Sequence, residues 1–304
     1  MKVLIIGLGS IAKKHIEALK HVDKKTEIYA LRRKSHCDNI ENIKNIYDIN
    51  TFDMKTIDFV IISNPTSEHL STIQKISLYN KPLFIEKPLF SEINDYTQLL
   101  VNQLEEKKTS TYVACNLRFL DCLTRLKDIL KSERINEVNV YCGSYLPDWR
   151  PGVDFRTVYS ANKELGGGVH IDLIHELDYV FWLFGEPIQT KSFFSNVSSL
   201  NISAYDYANY LWSYNEFSAS IILNYFRKES KRTIELVTER GTYFVDLLNN
   251  TIMFNEECIF ISQKRIIDTY KDQMYFYINT ILKDKKKFNS ITEANTILKL
   301  CMQD

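Results

Sequence analysis

An α/β chain in two parts is what the sequence predicts. Residues 1–118 should form a doubly wound parallel sheet, and residues 119–304 an α+β part built on a large mixed, mostly antiparallel sheet. Three observations predict this. Over the first part, short and wholly apolar runs alternate with helical patterns, as in strands covered on both faces by crossover helices. A Gly-x-Gly-x-x-Ala turn, Gly7 to Ala12, joins the first such run to the first helix. From about Leu120 the apolar runs give way to apolar and polar alternation, the pattern of a sheet with one solvated face.

Bulk properties bound the function. The chain of 304 residues is 45% hydrophobic, with 38 basic and 38 acidic residues, which describes a globular protein of about two domains. Zero net charge offers nothing to nucleic acid. Cys37, Cys115, Cys122, Cys142, Cys258 and Cys301 are scattered, without a Cys-x-x-Cys pair or a histidine at ligand spacing. Neither a disulfide framework nor a metal site is expected, and a reducing cytoplasm fits best. Met1 runs straight into a strand, and no apolar run approaches the roughly 18 residues that span a bilayer. The expectation is a cytoplasmic protein that is neither secreted nor embedded in a membrane.

In chain order, Lys2 to Ile6 reads as a buried strand ending in Gly7-Leu8-Gly9-Ser10-Ile11-Ala12. A helix carrying Ala12, His15, Ile16 and Leu19 on one side follows. This strand, turn and helix are the context of a Rossmann dinucleotide site: Gly7 makes the turn, Gly9 lets a pyrophosphate approach, and Ala12 permits close helix packing. The next strand, Glu27 to Leu31, ends at Arg32, Arg33, Lys34 and Ser35, where an NAD site would carry an acid. Guanidinium groups there suit a 2′-phosphate, so NADP is favoured and NAD remains possible. Asp58 to Ser63 is a strand delivering Asn64, Pro65, Thr66 and His69 to the carboxyl edge of the sheet, where such folds bind ligands. Lys81 to Ile85 delivers Glu86, Lys87 and Pro88 to the same edge, and Thr111 to Cys115 delivers Asn116, Leu117, Arg118 and Phe119.

In the second part a helix carries Leu120, Leu123, Leu126 and Leu130. Strands follow over Glu137 to Tyr141, Tyr207 to Leu211 and Ser218 to Leu223, and Arg232 to Val237 with Gly241 to Val245 reads as a pair near the sheet edge. Gly166, Gly167 and Gly168 stand together in a chain with only nine glycines, so a Cβ must be intolerable there, through a turn or a close ligand. Val169, Leu173, Leu177 and Val180 then give helical spacing, which puts Asp172 and His175 three apart on one face behind an anion-favouring helix start. The loop Tyr145 to Tyr159 holds Trp149, Arg150 and Arg156. Guanidinium groups suit carboxylate or phosphate and aromatic rings suit sugar faces, so this loop, with Tyr159, is a candidate substrate clamp.

Taken together, the Gly7 to Ala12 turn, Asn64-Pro65-Thr66 with His69, Glu86-Lys87-Pro88, Asn116 to Phe119 and Gly166 to Asp178 resemble the glucose-fructose oxidoreductase, inositol dehydrogenase and rhizopine-catabolism family, Gfo/Idh/MocA. The resemblance covers essentially the whole chain. It implies a nicotinamide enzyme transferring hydride at a sugar hydroxyl or keto carbon, with Lys87, His175 and Asp172 lining the site between the parts. It also implies that Gly7, Gly9, Ser10, Ile11, Ala12, Arg32, Arg33, Asn64, Pro65, Thr66, His69, Glu86, Lys87 and Asn116 hold the cofactor. Arg118, Trp149, Arg150, Arg156 and Tyr159 would meet the substrate. Many members space the aspartate and histidine four apart, whereas here the gap is three. The loop and Ser160 to Leu165 resemble a subgroup acting on bacterial surface-polysaccharide and nonulosonic-acid sugars, which implies an anionic sugar or sugar nucleotide. The free sheet face implies a homodimer or homotetramer. Three other readings stay open: epimerase or lyase chemistry with a retained cofactor, a non-enzymatic dinucleotide-binding regulator, and reduction of an unsaturated or tetrapyrrole substrate.

Overall fold

A computed structural model describes residues 1–33 and 40–303; Lys34, Ser35 and Cys37 of the sequence expectations lie outside them. The chain divides into two compact units, one of Met1–Cys115 with Tyr270–Leu298 and one of Asn116–Thr269 with Lys299–Asp304. In the first unit the order begins β1 (Lys2–Ile6), α1 (Ser10–Val22), β2 (Glu27–Leu31), β3 (Ile43–Ile46), β4 (Phe59–Ile62), α2 (His69–Ser77), β5 (Leu83–Glu86), α3 (Asp95–Glu106) and β6 (Thr111–Ala114). All strand pairs are parallel, in the spatial order β3-β2-β1-β4-β5-β6. This is the doubly wound order whose reversal beside β1 opens a crevice at the carboxyl ends of the strands.

In the second unit come α4 (Asp121–Ile129), β7 (Ile135–Tyr145), α5 (Val169–Asp172), α6 (His175–Phe184), β8 (Gln189–Ser195), β9 (Tyr207–Ser213), β10 (Ser218–Asn224), β11 (Phe226–Thr238), β12 (Thr242–Asp246), β13 (Thr251–Phe254) and β14 (Glu257–Ile261). They form one mixed sheet, β14-β13-β12-β11-β7-β10-β9-β8, in which only β7 with β10 is parallel. The expected pairing of β11 with β12 forms, yet β11 lies inside the sheet, because β13 and β14 extend it beyond β12. Those last two strands are short, four and five residues, so alternation alone did not mark them.

The chain returns to the first unit through α7 (Thr269–Phe276), a π turn over Tyr277–Ile281, and most of α8 (Ile291–Met302). A single division after residue 118 therefore misses this return. Its cause is apolar. Met274, Tyr277, Ile278 and Ile281 join Val3, Ile5, Phe59, Phe84 and Tyr112 in one buried cluster, with the Tyr277 ring 5.0 Å from Phe59 and 5.1 Å from Phe84. Asn289 also covers the β6 edge: its carbonyl accepts from Val113 N at 2.9 Å and its amide donates to Val113 O at 2.8 Å. An open strand edge is thereby closed.

His69, expected at the cofactor, is instead buried at 1% exposure as the first residue of α2. Nδ1 lies 3.0 Å from Leu89 O and Nε2 lies 3.1 Å from Asn64 O. The ring therefore braces two loops at the sheet edge, and burial lowers its pKa from the ordinary 6.5.

Two stability outcomes follow. Met274→Ala, emptying a fully buried position, should cost about 2–5 kcal/mol in urea unfolding, whereas Tyr275→Ala, 62% exposed, should stay within about 0.5 kcal/mol. Because folding favours neutral His69, the unfolded chain binds its proton more readily, and stability must fall as pH drops below the ordinary imidazole value. Denaturant midpoints between about pH 7 and pH 5 should decline less steeply in His69→Gln than in the unsubstituted protein.

Candidate active site

At the crevice of the first unit, Gly7 adopts φ +90, and a Cβ there would stand 2.2 Å from Asn64 N. The turn after β1 can thus press against the turn after β4 only as glycine. Gly9 caps α1 and would find nothing within 4 Å of a Cβ, which leaves open ground before the first N–H groups of a 13-residue helix. Ser10 is exposed there, Ile11 is half-buried and Ala12 is buried under the helix. This cradle fits a pyrophosphate, which takes the orphan donors of a helix start.

Beside it lies a cleft of about 660 Å³, lined among others by Gly7, Arg32, Arg33, Asn64, Glu68 and Thr72. Arg32 is fixed by its N–H to Ile46 O at 2.9 Å, and its Nη1 is buried without a partner among the described residues. An unsatisfied buried guanidinium nitrogen favours an anion in the cleft. Arg33 is engaged differently: it forms an ion pair with Glu68, and that guanidinium holds Glu68 below its ordinary carboxylate range. Asn64 Nδ2 donates to Glu68 Oε2 at 3.1 Å and to Thr72 Oγ1 at 2.9 Å. Pro65 opens the short turn of Thr66–Glu68 that carries this carboxylate.

At the end of β5 the Glu86 carboxylate faces inward. It pairs with fully buried His15 on α1 and accepts from Lys87 N at 3.1 Å. Glu86 is therefore a strut between α1 and the Lys87 backbone, which corrects its expected contact with a cofactor. Lys87 is half-buried at the strand's carboxyl end, ahead of a cis bond to Pro88.

In the second unit the three glycines answer to a turn. Gly166 and Gly168 have φ +82 and +148, and a Cβ on Gly167 would sit 2.0 Å from Tyr159 O. Tyr159 OH donates to Gly166 O at 2.8 Å, so the segment wraps that tyrosine. The expected continuous helix is broken: α5 ends at Asp172 and α6 opens at His175, with Leu173 at φ −99, ψ 28 between them. Asp172 and His175 thus belong to two helices and share no helical face. The four residues of α5 are too short a helix to favour an anion as expected.

Asp172 has a partner that sequence reasoning did not name. Tyr225 OH donates to Asp172 Oδ2 at 2.5 Å. Burial and the adjacent Asp172 charge both push the Tyr225 hydroxyl well above its ordinary pKa, so it stays a donor. Trp149 meets the Tyr225 ring edge-on, centroids 5.3 Å apart at 88°, and donates from Nε1 to Ser144 Oγ at 3.0 Å. Tyr225 follows Leu223 by two, and period two from β10 marks it as inward; its hydroxyl's destination has no local signal.

Two expected ligand-facing residues are consumed by structure. Arg118, at 2% exposure, gives Nε and Nη2 to the two Asp178 oxygens at 2.9 and 2.8 Å, so it does not present itself to a substrate. Asn116, at 4% exposure, donates to Thr269 Oγ1 at 2.7 Å, which corrects its expected cofactor contact. A second buried pair joins Arg232 Nε on β11 to Glu176 Oε1 at 2.7 Å. The clamp residues Trp149, Arg150 and Arg156 remain exposed, with Arg156 lying 4.5 Å from the Phe155 ring centroid.

Among the described residues no group of three or more His, Cys, Asp or Glu is placed to hold a metal, and no helix is long and apolar enough to cross a membrane.

Comparison with known proteins agrees with this geometry. Residues 1–115 match the oxidoreductase family with NAD-binding Rossmann fold, and residues 123–244 match the GFO/IDH/MocA C-terminal domain. The uncharacterized oxidoreductase YrbE of Bacillus subtilis is 25% identical over 192 residues, 60% of this chain and 54% of that protein. Myo-inositol 2-dehydrogenase of Thermotoga maritima is 22% identical over 198 residues, 62% of this chain and 56% of that protein. The matched region thus spans little more than half of these relatives. Two solved structures share the fold: UDP-N-acetylglucosamine 3-dehydrogenase GnnA of Acidithiobacillus ferrooxidans (TM-score 0.78, 17% identity, 99% of this chain and 95% of that one) and GenD2 from gentamicin A biosynthesis in complex with NAD (TM-score 0.79, 15% identity, 99% and 92%). A dinucleotide crevice built on Gly7 and Gly9 in the first unit, and in the second a mixed eight-stranded sheet together with the two helices of Asp172 and His175, accompany sequence matches over both, and the chain belongs to the Gfo/Idh/MocA oxidoreductase family.

Proposed function

We propose that the chain is an NAD(P)-dependent dehydrogenase or reductase acting at a hydroxyl or keto carbon of a sugar or sugar derivative. The observation that carries the reading is a set of residues held by the one chain. A chain with a dinucleotide cradle also holds Lys87, Asp172 and His175, all half-buried, a set suited to moving a proton. A dinucleotide-binding regulator has no use for one.

Gly7, Gly9 and the start of α1 would hold the pyrophosphate, with Arg32 toward the adenosine ribose. When bound, the nicotinamide supplies the carbon that takes or gives the hydride. The chain's own residues handle the proton. His175 takes it from the substrate hydroxyl as general base. Asp172, kept in place by the Tyr225 hydroxyl, provides the negative charge that favours the protonated imidazole. Lys87 hydrogen-bonds the same substrate oxygen and offsets the charge that grows on it.

The names of relatives, myo-inositol 2-dehydrogenase and UDP-N-acetylglucosamine 3-dehydrogenase, support a polyol, sugar or sugar-nucleotide substrate. The exposed Arg150 and Arg156 beside Trp149 support an anionic one, of the kind used in surface-polysaccharide synthesis. The Nη1 of Arg32, without a partner among the described residues, supports NADP as the favoured cofactor, with NAD accepted.

Fluorescence titration with NADPH and NADH, followed by a redox screen of acidic sugars and sugar nucleotides, tests the reading; binding of neither cofactor would remove it. Arg32→Asp should move the affinity ratio toward NADH, and an unchanged ratio would remove Arg32 as the phosphate reader. On the first substrate found, His175→Ala should lower turnover about 100- to 10,000-fold while cofactor affinity is kept. Full activity in that variant would refute its role as base.

A further inference from the structure

Among the charged residues that line the cleft and have no part in the scheme above, Glu68 joins Arg33 to Asn64. Glu68 stands on the turn after β4, with its side chain 34% exposed, and reaches across to Arg33 at the end of β2. Its other oxygen accepts from Asn64. The carboxylate thus ties the two loops that frame the crevice, and both partners line the same cleft as Arg32. Asp48 and Lys75 also line it, one charge of each sign. Apart from Arg32, the charges of the described residues lining the cleft therefore sum to near zero, and Glu68 makes it so.

We infer that Glu68 is a specificity-determining residue for the nucleotide: by neutralising Arg33 it leaves Arg32, among the described residues of the cleft, as the uncompensated cation for a 2′-phosphate, and so keeps the cleft open to nucleotides with and without that phosphate. The inference rests on the nucleotide reading of the cleft. A phosphomonoester carries about −1.5 to −2 charge at pH 7. A fixed carboxylate on the same wall opposes it, while a nucleotide with free ribose hydroxyls meets no such penalty. Removing the carboxylate's charge would also release a second guanidinium to the phosphate, where paired Arg contacts are strongest.

The probes are 5′-AMP and 2′,5′-ADP, which differ by the phosphate alone, with affinities read by calorimetry on the full chain. Glu68→Gln, which keeps size and hydrogen bonding, should tighten 2′,5′-ADP about tenfold and leave 5′-AMP unchanged. Arg33→Gln, which strands the carboxylate, should weaken 2′,5′-ADP. The double variant should return close to the unsubstituted protein, because the pair is removed as a neutral unit. If Glu68→Gln shifts both probes equally, Glu68 is only a brace for the Asn64 turn and the inference falls; it falls too if neither affinity moves. Failure of the unsubstituted protein to bind either probe would overturn the nucleotide reading itself, and that is seen before any substitution is made.

Discussion

Two buried ion pairs determine how α6 can lie. The helix puts Glu176 and Asp178 inside, at 0% and 1% exposure, among the apolar residues Leu177, Tyr179 and Val180. A carboxylate buried alone costs several kcal/mol, so each needs a cation with good geometry. Arg232 arrives from β11 and Arg118 from the turn after β6. A helix with two such demands, two residues apart, has one rotation that meets both. The residue directly before Glu176 is His175, so its direction is set by charges that take no part in its chemistry. Pairs of this kind are often no more stabilising than an apolar core; their effect is to exclude every other setting of the helix.

A similar logic runs through the first unit. Glu86 is placed under α1 by His15 and holds the backbone of the next residue, Lys87. His69 holds the backbone of Asn64, whose N–H in turn lies where a Cβ of Gly7 would be. The residues that touch the crevice are therefore held by buried polar residues one step behind them. Polar groups with all their partners inside the protein are stiff, and a stiff second layer keeps a site in shape.

How much of this was legible follows from what kind of signal each residue leaves. Strands β1, β4, β5 and β6 announce themselves as continuous apolar runs because both faces are covered, and the glycine turn after β1 stands at the one place where a Cβ would strike Asn64. The triple glycine likewise marked a real intolerance for side chains. The cause the fold supplies is Tyr159 and two positive φ angles. Spacing did not show the break at Leu173, since Val169, Leu173 and Leu177 fit an unbroken helix as well as two short ones. Arg118 looked like a ligand group because a charged residue in a loop usually faces water; its carboxylate partner lies 60 residues away. Tyr225, Glu68 and the return of α7 to the first sheet are pairings of the same long-range kind. Period and composition report local structure, while contacts across such separations are set by packing.

That return bears on how the protein is made. Phe59, Phe84 and Tyr112 belong to the first unit, yet the rings and aliphatic groups that complete their cluster come from residues 274–281. A ribosome delivers residues 1–115 first and must then make residues 116–269 before the missing layer emerges, a delay on the order of ten seconds at common elongation rates. During that interval the nascent Rossmann unit shows an aromatic face and an uncovered β6 edge to solvent. The unit synthesised earlier is thus completed by a segment made after the second sheet, and the nascent chain has to be kept from sticking meanwhile.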